Sequence, residues 1–249
     1  MKRINYNIID VPLEFKVACT VYRQSIQEVL QIFIDHVSMY DSLTGEYSKG
    51  FSEATMSISS YTRVKVKKNK RSKAFLQCRD LAVSCINSIF HETRNPKGTT
   101  EAKRKKSRYF VNALYQIMER PHTPSVILYL DENSPITLTK DFCVICELQN
   151  CYPKEFLEYF MGRVSIADVQ ARSGLKFKEQ NFPFDFFLEV ARGFGRPATE
   201  GSDLTDMQIE FYQRMEELSL EIYNVRDLQE RTAILRDFYL TYHQNMNQS

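Results

Sequence analysis

Apolar residues recur at helical spacing along most of this chain. After an extended stretch over residues 3–9, Pro12 suits the first turn of a helix. Phe15, Val17, Ala18, Val21 and Tyr22 then line one broad face of that short helix. Ser25-Ile26-Gln27-Glu28 has capping-box spacing, and Val29, Leu30, Phe33, Ile34 and Val37 continue the stripe behind it. Ser38-x-x-Asp41 reads as the cap of a third helix. Further helices are expected over 50–61, 73–94 and 99–120, the last basic at its start and apolar from Tyr109 to Met118. Val126-Ile127-Leu128-Tyr129-Leu130, bounded by Pro124 and Asp131, is the best strand candidate. Residues 182–188 are apolar enough to be buried, and 192–197 read as an interhelical loop. Over 205–242 the pattern is helical again. There Phe211, Met215, Leu218, Ile222 and Val225 keep heptad spacing for about two heptads, which fits packing on the chain's own core or self-association.

The first of these patterns occurs twice. A shift of 127 places aligns residues 9–41 with 136–168 without a gap, and 10 of the 33 pairs are identical, Phe15/Phe142, Cys19/Cys146, Phe33/Phe160 and Asp41/Asp168 among them. Chance gives about two. Pro153 takes a first-turn position, Phe156, Leu157, Phe160, Met161 and Val164 repeat the stripe, and Ser165-x-x-Asp168 repeats the cap. The expected fold is therefore mostly α, a multi-helix protein with a few short strands. It is read as an internal tandem duplication with a pseudo-two-fold relation between its copies. The halves are 1–123 and 124–249, joined near Pro121-His122-Thr123-Pro124.

Charge divides along the same boundary. The net charge of +2 hides 21 Lys+Arg against 11 Asp+Glu in residues 1–123, and 12 against 20 in residues 124–249. The basic excess lies mainly in two blocks: Arg63, Lys65, Lys67, Lys68, Lys70, Arg71 and Lys73, then Lys103, Arg104, Lys105, Lys106 and Arg108. Clustered cations of this kind neutralise phosphates and release counterions, so nucleic acid is the expected partner. A hydrophobic share of 43% excludes a disordered chain, and eight glycines with eight prolines are few for a sandwich or barrel. No apolar run reaches the length of a membrane span, so no membrane partner is expected. Six cysteines in helix-like segments fit a reducing cytoplasm.

Catalytic and metal chemistry leave no clear signature. Cys143-x-x-Cys146 with Cys151 lacks a second pair of ligands, and His36, His91, His122 and His243 are isolated in sequence. No metal, cofactor or catalytic residue is assigned, and Cys146 repeats Cys19 on an apolar helix face.

At the N-terminus, Arg3, Asn5 and Asn7 alternate with Ile4, Tyr6 and Ile8, and two helices follow. This strand-helix-helix order over residues 2–39 resembles the ribbon-helix-helix (Arc, MetJ and CopG) DNA-binding superfamily, with 133–165 as a second, weaker match. The resemblance implies an antiparallel ribbon in the major groove, formed within one chain by the two copies. It makes Arg3, Asn5 and Asn7 the base readers, since Arg suits guanine and Asn suits adenine. The functional expectation is a nucleic-acid-binding protein, DNA-directed, that acts as a regulator or DNA-processing accessory factor. The alternative is a helical protein-interaction scaffold without nucleic acid, working through the 205–242 region.

Overall fold

A computed structural model describes residues 8–44, 50–65, 72–195 and 205–248. The protein is mostly α-helical, with one two-stranded sheet among the described residues. In the first half the helices are α1 (Leu13–Val21), α2 (Ile26–His36), α3 (Met39–Leu43), α4 (Phe51–Lys65), α5 (Lys73–Gln77), α6 (Arg79–Arg94) and α7 (Thr100–Ile117). Strands β1 (Ile127–Tyr129) and β2 (Pro135–Thr137) follow. Then come α8 (Lys140–Gln149), α9 (Pro153–Gly162), α10 (Ile166–Gly174), α11 (Phe182–Ala191), α12 (Asp206–Glu221) and α13 (Leu228–Gln248).

The predicted caps are in place. The hydroxyls of Ser25, Ser38 and Ser165 accept the amides of Glu28, Asp41 and Asp168. Each satisfies one of the amides that a helix start leaves without an intrahelical partner. Two long helical stretches are interrupted. Cys78, at φ −118° and ψ 31°, separates α5 from α6, and a 3-10 turn at Ile222–Asn224 ends α12, so Val225 falls outside the heptad run. The turns that end α1 and α8 contain no glycine. Arg23 and Asn150 both take φ 53° there, and the next amides, of Gln24 and Cys151, donate to the carbonyls of Cys19 and Cys146 at 2.7 and 3.0 Å. These are Schellman-type closures built on L-residues.

Element boundaries in the two halves follow the 127-residue shift well beyond the aligned segment. It carries the start of α1 onto that of α8, α2 onto α9 and α3 onto α10, and it carries α6, residues 79–94, onto α12, residues 206–221. The start of α7 falls one residue before that of α13. Packing is reciprocal as well: α7 lies on α8 while α13 lies on α1, and α4 lies on α9 while α11 lies on α2.

Where the halves meet, equivalent residues contact each other. Phe33 stacks on Phe160 with ring centroids 4.0 Å apart, and Phe156 and Phe186 close round Phe33. Asp141 of α8 accepts the Met39 amide at the start of α3 at 2.9 Å, and Glu14 of α1 accepts the Ser165 hydroxyl before α10 at 2.9 Å. The Asp10 amide donates to Glu158 and the Thr137 amide to Gln31, both at 3.0 Å, and 127 residues separate the members of each equivalent pair. One contiguous core runs through both halves.

β2 shows how Pro135 is tolerated in a strand. Leu128 lies opposite Ile136 and Tyr129 opposite Pro135. The ladder bonds flank that last pair, so the missing proline N–H faces away from β1 and no ladder bond is lost. The outer edge is taken by α2: Gln27 donates to the Pro135 carbonyl, and Gln31 both donates to and accepts from Thr137. On the other side of β1, Ile8 bridges Tyr129 in parallel sense and the Ile9 amide donates to the Tyr129 carbonyl at 2.9 Å.

Phe160→Ala removes one face of the central stack from a fully buried site and should cost about 3–5 kcal/mol in urea unfolding. Leu220→Ala, at a position 80% exposed, should change stability by less than about 0.5 kcal/mol.

Candidate functional site

The second basic block lies on the first three turns of α7, and helical phase divides it. Thr99 caps the helix by accepting the Ala102 amide at 3.2 Å. Lys103, Ser107, Val111 and Leu114 form its buried row, with Lys103 only 8% exposed. Arg104 is committed to the fold: its Nε and Nη2 donate to the two Asp41 oxygens at 2.8 and 2.9 Å. Its guanidinium carbon lies 3.5 Å from the centroid of the Phe51 ring. The Asp41 side chain is 2% exposed and that of Arg104 11%, so this fork ties α7 to α3 inside the structure.

Lys105, Lys106 and Arg108 face outward. Lys106 pairs with Glu92 of α6. Among the described residues, Lys105 and Arg108 have no carboxylate within ion-pair distance. Tyr109, 81% exposed, stands beside Arg108. The Lys106–Glu92 pair spans the hairpin in which α6 packs along α7, and this antiparallel packing sets exposed Arg94 and Lys97 at the end from which α7 starts. Arg94 lies over the Phe90 ring at 4.1 Å. Arg94 and Lys97 lie outside both basic runs. Their membership of this surface comes from the antiparallel return of the chain, which no local pattern reports.

Arg63 is exposed near the end of α4, and Lys73 is exposed in the first turn of α5 behind its cap, Ser72. Lys65 is the last residue of α4. Lys67, Lys68, Lys70 and Arg71 lie outside the described residues, as do Arg3, Asn5 and Asn7. Across residues 72–120 there are 10 Lys+Arg against 4 Asp+Glu, so the region from α5 to the end of α7 holds much of the basic excess of its half.

Two other polar groupings are chemically distinct. Glu147 is completely buried, yet its carboxylate accepts four hydrogen bonds: the amides of His122 and Thr123, the Thr123 hydroxyl and His122 Nδ1, at 2.7–2.9 Å. It anchors the 121–124 connection and orients the imidazole toward a cleft of about 200 Å3. The hydroxyl of Ser125 in that cleft is engaged with the Ile127 amide and carbonyl, at 3.1 and 2.9 Å. The six cysteines are all buried free thiols. Burial pushes the Cys19 thiol up to about 12 and the Cys143 thiol up to about 11, so they act as small apolar groups. Among the described residues, no three His, Cys, Asp or Glu side chains are placed to hold a metal ion, and no helix is long and apolar enough to cross a membrane.

Comparison with family models, with curated proteins and with solved structures finds no match to this chain.

The two kinds of cation on α7 should separate in mutational tests. Arg104→Ala leaves the buried Asp41 carboxylate uncompensated and should destabilise the fold by about 3–5 kcal/mol in denaturant titration. Lys105→Ala should remain within about 0.5 kcal/mol of the parent.

Proposed function

We propose that the protein binds nucleic acid, duplex DNA in the first instance, through the outward face of α7 and the α6–α7 turn. The observation that carries this reading is the exposure of Lys105 and Arg108 on one helix face, unpaired with carboxylates among the described residues, with Lys106 and Tyr109 exposed beside them. A helix of 18 residues is about 27 Å long and presents cations over its first half at spacings that suit successive phosphates. Arg94 and Lys97 extend the surface beyond the helix start, and the 63–73 block adds charge. Tyr109 offers a flat ring beside Arg108, suited to stacking on a sugar or an unpaired base. Arg3, Asn5 and Asn7 remain the proposed base readers of a ribbon-helix-helix-like arm. A regulator or DNA-processing accessory factor working in the reducing cytoplasm suits this chemistry and the buried free thiols.

The scaffold reading has support of its own. On the outward face of α12 and the turn after it, Ile209, Tyr212, Leu220 and Tyr223 are 44%, 52%, 80% and 66% exposed. Exposed apolar side chains at helical spacing suit a protein partner or self-association.

Fluorescence anisotropy with a labelled mixed-sequence duplex across a salt series decides between them. The parent should bind with an affinity that falls steeply as salt rises. A Lys105→Glu/Arg108→Glu variant should bind more weakly, with the logarithmic slope shallower by about 2. Arg104 is left intact in this design because its loss would test the fold. Absence of binding at about 50 mM salt would overturn the DNA reading. Self-association in sedimentation velocity would then favour the scaffold.

A further inference from the structure

The 127-residue shift that relates the element boundaries also relates α7 to α13 residue by residue. Arg104 falls on Arg231, and both are largely buried. Arg108 falls on Leu235, Tyr109 on Arg236 and Asn112 on Tyr239. Glu14 of α1, against which α13 packs, falls on Asp141 of α8, against which α7 packs. Equivalent places in the two halves are therefore built from different residues, and the difference is chemical.

In the second half this place is filled. Leu235 and Tyr239 are 2% and 3% exposed, and Arg236 closes on Glu14, whose other oxygen accepts the Ser165 hydroxyl. In the first half it is open. Tyr109 projects outward at 81% exposure, and a cavity of about 510 Å3 remains, lined by Asp35, Arg108, Asn112, Thr139, Lys140 and Asp141. Asp141 accepts the Met39 amide with one oxygen, and among the described residues no cation lies within ion-pair distance of its carboxylate. Burial raises its pKa above the ordinary carboxylate value, against the pull of the Met39 amide and of nearby Arg108. A carboxylate in this position gains from a cation, as Glu14 gains from Arg236.

The remaining lining specifies the ligand further. Arg108 and Lys140 oppose a simple cation, and Asp35 and Asp141 oppose a simple anion. A neutral molecule carrying both charges satisfies all four. We infer that this cavity binds a small zwitterion of the α-amino acid class, its ammonium group taking on Asp141 the place that Arg236 takes on Glu14 and its carboxylate meeting Arg108 and Lys140. The volume lies in the range of small-molecule sites and accommodates a large side chain.

Saturation-transfer NMR of the full chain with a pool of the twenty common L-amino acids tests this, followed by calorimetric titration of the strongest binder. That amino acid should bind at least tenfold more tightly than the amine or the carboxylic acid bearing the same side chain. Arg108→Gln should weaken binding at least tenfold, and more for the amino acid than for the amine. Tyr109→Arg should place a guanidinium on Asp141, as Arg236 is placed on Glu14, and abolish binding while the circular dichroism spectrum stays unchanged. No binding of any common amino acid at millimolar concentration would overturn the proposal. So would equal binding of the singly charged analogues, or undiminished binding to a folded Tyr109→Arg variant. Arg108 also belongs to the face proposed to meet DNA, but this experiment contains no nucleic acid, so the two readings succeed or fail separately.

Discussion

The stacking of Phe33 on Phe160 is the contact around which the rest of the structure is arranged. Two rings at equivalent positions meet at 4.0 Å, and such a meeting is self-complementary in the way a homodimer interface is, although both partners belong to one chain. An aromatic pair contributes about 0.5–1.5 kcal/mol beyond its burial, and that alone would not fix orientation. Orientation comes from the polar contacts around it. Helix starts brought into a core need acceptors, and the acids in the first turns of α1 and α8 serve the starts of α10 and α3. Each half thus completes hydrogen bonds that the other would leave open, which links the stability of one half to the presence of the other.

That frame gives the charge distribution a geometric meaning. α6 and α7 occupy the same relative places in their half as α12 and α13 do in theirs, yet α7 carries five cations and one acid where α13 carries two of each, and α12 carries five acids and one cation where α6 carries two of each. Shared burial accounts for what the helices have in common, as with Arg104 and Arg231. The outward rows are under no such constraint and have opposite character: basic with a projecting Tyr109 on α7, acidic and apolar on α12.

Sequence patterns predicted the helical class and the three serine caps, because apolar periodicity and cap spacing are local signals. The longer correspondence of element boundaries leaves little trace in the sequence, because α4 and α11, α6 and α12, and α7 and α13 keep equivalent places with few identical residues. The fate of the 103–108 block was hidden for a different reason. Composition reports its charge, but Lys103 turns inward because it shares a helix row with Ser107 and Val111, and Arg104 is held by Asp41, 63 residues earlier in the chain. Pro135 lacks the N–H that a paired ladder position needs, yet here that position faces Gln27 and Gln31 of α2, and the strand forms. Turns without glycine at Arg23 and Asn150 are equally silent in composition, since the left-handed residue is set by the packing of the helices it joins.

The cavity beside Asp141 follows from the same frame. Where the backbone is fixed by contacts elsewhere, a side chain at the periphery can be exchanged without moving the helices. Replacing the arginine of one half by the tyrosine of the other removes a cation, turns a ring outward and leaves a carboxylate facing a space of about 510 Å3. A carboxylate largely withdrawn from water gains from a cation or a donor brought close to it. The second half shows that this fold can close the same place with Leu235, Arg236 and Tyr239. The open arrangement in the first half is therefore not imposed by the fold, and its complementary charges define the chemistry that would fill it.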